Sequence, residues 1–128
     1  MKLPRRNFLH LAAGAAALPV VSRFAFAQAY PARPVRVIVP VAAGGGSHIT
    51  ARLMGQWLSE RLGQPFVIEN RPGGALNIGT EAVVKSPPDG YTLLLAGTPN
   101  TINATLYDKL NFNFIRDIAP VAAIIRQP

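Results

Sequence analysis

Hydrophobic positions along the chain fall into two patterns, short unbroken runs and longer stretches at helical spacing, with turn residues between them. The first run, Val35-Arg36-Val37-Ile38-Val39, is dominated by β-branched side chains and reads as a buried strand. Pro40 ends it, because proline has no N–H to give to a ladder. A turn follows at Gly44-Gly45-Gly46, where backbone freedom and closeness of approach replace side chains, and Ser47 is placed to cap a helix. Ile49, Leu53, Trp57 and Leu58 then recur at helical spacing while Ser59, Glu60 and Arg61 stay polar, which predicts a helix from Ile49 to Leu62. In it Trp57, in step with Leu53, reads as core, and Arg52 as a structural residue tied to a nearby carboxylate or carbonyl. Gly63 is a natural C-terminal stop and Pro65 prevents a restart.

Phe66 to Glu69 reads as a second strand, so the first unit is strand, helix, strand, with parallel strands and a right-handed crossover. A second turn, Asn70 to Asn77, contains Gly73 and Gly74. It feeds a helix whose apolar side holds Ile78, Ala82 and Val83, with Asn77 or Thr80 as its cap. In that turn Arg71 either points into a cleft or braces Glu69. Ser86-Pro87-Pro88-Asp89-Gly90 closes the helix, and Tyr91 to Ala96 reads as a third strand, apolar enough to be covered on both faces. After a third turn, Gly97 to Thr101, come a short helix from Ile102 to Leu106, an irregular stretch from Tyr107 to Asp117, and a fourth strand at Val121 to Ile125. The alternation predicts an α/β fold with a parallel, doubly wound sheet. Its three turns, after Val39, Glu69 and Ala96, lie at the carboxyl ends of strands, where open α/β sheets bind ligands, so one shared site is expected.

A glycine turn at a helix start aims free N–H groups and the positive end of the helix dipole at one small volume, which suits a carboxylate or phosphate. The plainer reading is that the glycines only permit a tight connection. Charge adds little. The 128 residues hold 13 Lys+Arg against 6 Asp+Glu, but Lys2, Arg5, Arg6 and Arg23 sit in a segment expected to be removed, and nine against six leaves +3. No basic cluster with interleaved aromatics appears, so nucleic acid is not an expected partner. With no cysteine there is neither a disulfide partner nor a thiolate metal site, and no other ligand cluster points to a metal.

Residues 1–27 have the form of an export signal. Lys2, Arg5 and Arg6 make a charged start, Phe8 to Val21 is apolar but short for a bilayer span, and Ala25-Phe26-Ala27 has the small-x-small form that places cleavage before Gln28. Arg5-Arg6-Asn7-Phe8-Leu9 resembles the twin-arginine signature, with the ordinary secretory route and an uncleaved anchor as the alternatives. The expected fate of the chain is export. Residues 28–128 then form the remaining part.

Tyr30-Pro31-Ala32-Arg33-Pro34-Val35-Arg36, the Gly44-Gly45-Gly46 turn with Ala51-Arg52-Leu53, Leu62-Gly63-Gln64-Pro65, Glu69-Asn70-Arg71-Pro72-Gly73 and Pro88-Asp89-Gly90-Tyr91-Thr92-Leu93-Leu94 occur in an order and spacing that resembles the Bug-type solute receptors. These are the periplasmic binding proteins of tripartite tricarboxylate transporters. The resemblance implies a type II periplasmic binding fold that closes on a small carboxylate ligand and delivers it to two membrane subunits, with no cofactor and no catalysis. It implies a carboxylate held by backbone N–H groups and water at Gly44, Gly45, Gly46, Ser47 and His48, with Gly74 and Ala75, then Thr98 and Asn100, completing this side of the cleft. His48 stands where such receptors commonly have an acidic residue. Its reading as a turn residue at the cleft mouth leaves ligand contact and simple solvation both open. The family's body is more than twice the length from Gln28 to Pro128, so a partial first domain is expected, as a fragment or from a truncated gene.

Two other readings compete. Strand, glycine turn, helix and Glu69 mimic an exported dinucleotide-binding, Rossmann-like enzyme fragment, but the third glycine position falls on Ile49 and no phosphate loop of the GK[ST] kind is present. A remnant that binds nothing is the other. Ser47 and His48 are adjacent on a helix start, so their side chains diverge and spacing alone makes no nucleophile and base pair.

Overall fold

The structure, a computed structural model, describes residues 29–125, so the expected export signal lies outside the described residues. Three parallel strands, β1 (Val35–Val39), β2 (Phe66–Asn70) and β3 (Thr92–Leu94), form a sheet in the order β2-β1-β3. Val37 of β1 lies opposite Ile68 on one side and Leu93 on the other. Helix α1 (Gly46–Leu62) joins β1 to β2. A 3-10 turn (Gly74–Leu76) and α2 (Asn77–Val84) join β2 to β3, and α3 (Thr98–Leu106) and α4 (Phe114–Asp117) follow. The two crossovers run in opposite directions along the sheet, so right-handed connections put α1 and α2 on opposite faces, the doubly wound arrangement expected. Central β1 supplies most of the core: Val35, Ile38 and Val39 are buried, joined by Ala51 and Phe66.

Helix α1 begins three residues earlier than its apolar spacing implies, because Gly45, in extended conformation, already accepts from Ile49 N–H at 3.1 Å. Ser47 is therefore inside the helix and makes no cap. The helix ends as expected, with Gly63 left-handed at φ 72° and its N–H on Ser59 O. Its packing face, however, is the small one. Ala51 and Gly55 are buried, with Met54 and Leu58 half-buried beside them. A Cβ on Gly55 would lie 2.9 Å from Ile68 Cδ1 and 3.3 Å from Phe66 O, so α1 rests on β2 at a distance only glycine allows. Ser59 locks that contact, its hydroxyl donating to Gly55 O (2.6 Å) and accepting from Phe66 N–H (2.8 Å). Two positions further along the helix point roughly 200° away from Ala51 and Gly55. Leu53 and Trp57 thus face solvent, 65% and 54% exposed, which corrects their expected place in the core. The Arg61 guanidinium covers the Trp57 ring instead, 4.9 Å from its centre.

The third strand is shorter than its apolar run, and Val121 to Ile125 form no strand. A strand exists only as a paired ladder; unpaired, Val121 and Ile125 stay 81% and 71% exposed. Helix α3 instead starts earlier than expected, at Thr98, since Pro99 in a first turn gives up an N–H that has no intrahelical partner anyway.

Candidate functional site

The turns after β1 and β2, and α3 after β3, rise from the carboxyl end of the sheet. The first is anchored from below: Asn70, the last residue of β2, donates its side-chain amide to Val41 O at 2.8 Å, and Arg71 N–H donates to Val39 O at 2.9 Å. Above these anchors Gly44, Gly45, Gly46 and Ser47 are exposed and His48 is half-buried. Only Gly44 has backbone angles that call for glycine, with φ 95°. Gly45 has an ordinary φ of −79° and Gly46 is helical, and among the described residues a Cβ at any of the three would meet nothing within 4 Å. Neither conformation nor packing explains two of the three glycines. The first N–H groups of α1 point into that open space, as they must at any helix start.

His48 is held by Arg52 one turn on, whose Nε donates to His48 Nε2 at 3.0 Å. The guanidinium can only donate, so Nε2 accepts and the ring proton sits on Nδ1, which is buried without a partner among the described residues. Arg52 is structural, as expected, but its partner is an imidazole rather than a carboxylate or carbonyl. Arg71 braces Glu69 at 2.5 Å, and Arg36 holds the other carboxylate oxygen at 2.7 Å. The hydrogen bond from Arg36, then that from Arg71, pulls the Glu69 carboxyl below its usual range against the opposing effect of burial. Glu69 is thereby held by two arginines.

The second turn has an unusual backbone. Gly73, Gly74, Ala75 and Leu76 are consecutive with φ of 120°, 54°, 51° and 75°, and Leu76 occupies the N-cap position of α2, so neither Asn77 nor Thr80 caps it. Gly74 and Ala75 are exposed; Asn77 instead accepts from Asn103 at 3.3 Å, and Thr80 is buried. In the third turn Thr98 is exposed at the start of α3, whereas Asn100 is only 2% exposed. Its side chain accepts from Gly97 N–H at 2.9 Å and donates to Thr80 Oγ1 at 2.8 Å. Asn100 therefore shapes the edge from beneath it. Asn70, Thr80 and Asn103, which tie the turns down, do not stand out as site residues in the sequence. The available signal is Asn100 and Asn103 three apart on one helix face.

The carboxyl end carries no competing negative charge at its helix starts, since α1, α2 and α3 all lack an acidic residue in the first turn. A depression of 410 Å³ lies elsewhere, between α1 and β2 against Arg52, Gln56 and Val67, and contains none of the expected site residues.

Residues 50–128 match the family described as tripartite tricarboxylate transporter family receptor. Protein BugT of Bordetella pertussis is 40% identical over 100 residues, covering 77% of this chain and 31% of that protein. A solved structure of a periplasmic transporter superposes with a TM-score of 0.63 at 42% identity, over 69% of this chain and 30% of the other. MatC from Rhodopseudomonas palustris, solved with bound malate, superposes with a TM-score of 0.63 at 36% identity, over 69% of this chain and 30% of its own. The chain spans about a third of the length of the curated relatives it matches. On the matched residues, the fold and the order of its turns, the chain belongs to the tripartite tricarboxylate transporter receptor family.

Proposed function

We propose that this chain is the carboxylate-binding part of an exported, non-enzymatic solute receptor serving a tripartite transporter. The ligand carboxylate is received by backbone N–H groups from Gly44 to His48, with Gly74, Ala75 and Thr98 on the same side of the cleft and Asn100 acting by position. The observation that carries this reading is the room left at Gly45 and Gly46, where glycine is needed neither for φ nor for packing. Space without a Cβ beside free N–H groups and a positive helix end is what an anion's close approach requires. The absence of first-turn acids on all three helices supports a negatively charged ligand, and the relative solved with malate supports a small di- or tricarboxylate. Residues 1–27 direct export to the periplasm with cleavage before Gln28, and residues 28–128 contribute to the first lobe that presents the ligand to two membrane subunits. A dinucleotide reading gains no support, because Glu69 is held by two arginines.

Calorimetric titration with malate, citrate and NAD, on the chain and on Gly45→Thr, tests it. Threonine caps a helix about as well as glycine, so folding is spared while its Cβ and Cγ enter the open space. Carboxylate binding that weakens about tenfold or more in the variant, at an unchanged melting midpoint, is expected. Full affinity in Gly45→Thr, or binding of NAD alone, removes the assignment.

A further inference from the structure

Between α2 and α3 the usual order of burial is reversed. The buried polar residues among those described are Thr80, Asn100 and Asn103, at 1%, 2% and 5% exposure. Ile78, Ile102 and Leu106 on the same two helices are 54%, 54% and 67% exposed. An interface selected for stability alone would bury the apolar side chains, because buried amides and hydroxyls at best recover what they lose in leaving water.

All three buried polar groups are hydrogen-bonded, and their bonds lead to the same place. Asn103 Nδ2 donates to Ala75 O. Thr80 Oγ1 donates to Leu76 O at 2.9 Å and accepts from Asn100 Nδ2 at 2.8 Å, while Asn100 Oδ1 accepts from Gly97 N–H. Ala75 and Leu76 are the described non-glycine residues with positive φ. Side chains with a Cβ avoid that region, and such strain persists where the surroundings over-determine it. Here each strained residue has its carbonyl taken by one buried side chain, and the set ties the second turn to the third.

We infer that Asn103, Thr80 and Asn100 are positioning residues that hold the second turn in its ligand-receiving shape. The inference rests on the carboxylate-receptor reading for its ligand, but the shape it assigns exists without one.

The test follows backbone couplings and Cα and Cβ chemical shifts of Ala75 and Leu76 by NMR in the full chain, with malate titration alongside. In Asn103→Leu both residues are expected to lose the positive-φ signature, and malate affinity to fall about tenfold. Adding Ala75→Gly, which removes the steric objection to left-handed geometry, is expected to restore most of that affinity although Asn103 is still missing. If Asn103→Leu does not fold, Thr80→Val, which keeps the side-chain shape, is read at Leu76 alone. Retention of the positive-φ signature in the folded variant, or affinity lost with no rescue by Ala75→Gly, overturns the inference. A chain that binds no carboxylate at all refutes the proposed function, while the NMR comparison still decides the positioning role.

Discussion

At the amino end of the sheet, surface side chains fasten the loops to one another. Tyr30 donates its hydroxyl to Gly90 O (2.7 Å), Tyr91 accepts from Ala32 N–H (2.9 Å), and Arg33 pairs with Asp89 (2.7 Å) while lying 4.1 Å over the Tyr91 ring. At the carboxyl end, about 16 Å away by the rise of a five-residue strand, backbone takes over. Gly44 to Gly46 leave open space, and the side chains that matter there, Asn70, Thr80, Asn100 and Asn103, lie underneath the turns and point into the protein. One end is fastened by contacts on its surface and the other is held from below with its surface left free. The difference teaches that exposed glycine at a strand's carboxyl end has to be sorted by what its missing Cβ would touch.

The strongest way to break that contrast is Gly79→Val. A Cβ at Gly79 would lie 2.8 Å from Pro40 Cβ and 2.9 Å from Arg71 O, so this glycine is required by packing beneath the first two turns. Chemical denaturation should show a loss of about 2 to 3 kcal/mol, the cost of overpacking against backbone. At the amino end, Tyr91→Phe removes the acceptor for Ala32 N–H and should cost about 1 kcal/mol in the same measurement, with no change in carboxylate affinity. A larger effect on binding than on stability would mean that the two ends are coupled.

Glu69 gives a smaller, pH-dependent effect. Its carboxyl is depressed in the folded state by Arg36 and Arg71, so its contribution is present above the ordinary value of 4.5 and is lost as pH falls through the lower folded-state value. The pair is partly solvent-screened, which limits the contribution to under about 1 kcal/mol. Glu69→Gln should flatten the acid limb of the stability profile by that amount. Smallest of all is the stability change in Gly45→Thr, within about 0.5 kcal/mol in the same denaturation experiment. A clear destabilisation there would make the first turn a packing feature like Gly79.

Much of the architecture was legible because it depends on local chemistry. The β-branched run at Val35 to Val39, the stop at Gly63 and Pro65, and the proline-glycine turn before Thr92 all act within a few residues, and each leads to the element it implies. The glycine turn at 44–46 was legible for the same reason. Less so was the face of α1: two apolar stripes lie on that helix, and periodicity cannot tell which one packs. The small stripe won because Ala51 and Gly55 let helix and strand come closer than Leu53 and Trp57 would. Ser47 failed as a cap because the helix started one residue before it.

The sequence by itself determined the parallel α/β order, the position of the turns and the family, since these follow from residues near each other in the chain. Tertiary structure alone decided that Gly45 and Gly46 meet no packing demand among the described residues while Gly55 and Gly79 are bound by one, since what a missing Cβ would meet depends on neighbours distant in sequence. It likewise decided that Asn100 lies beneath the edge and that Ala75 and Leu76 are left-handed. Those backbone angles are unfavourable to alanine and leucine taken alone, and they stand because side chains from Thr80 and Asn103 claim the carbonyls that result.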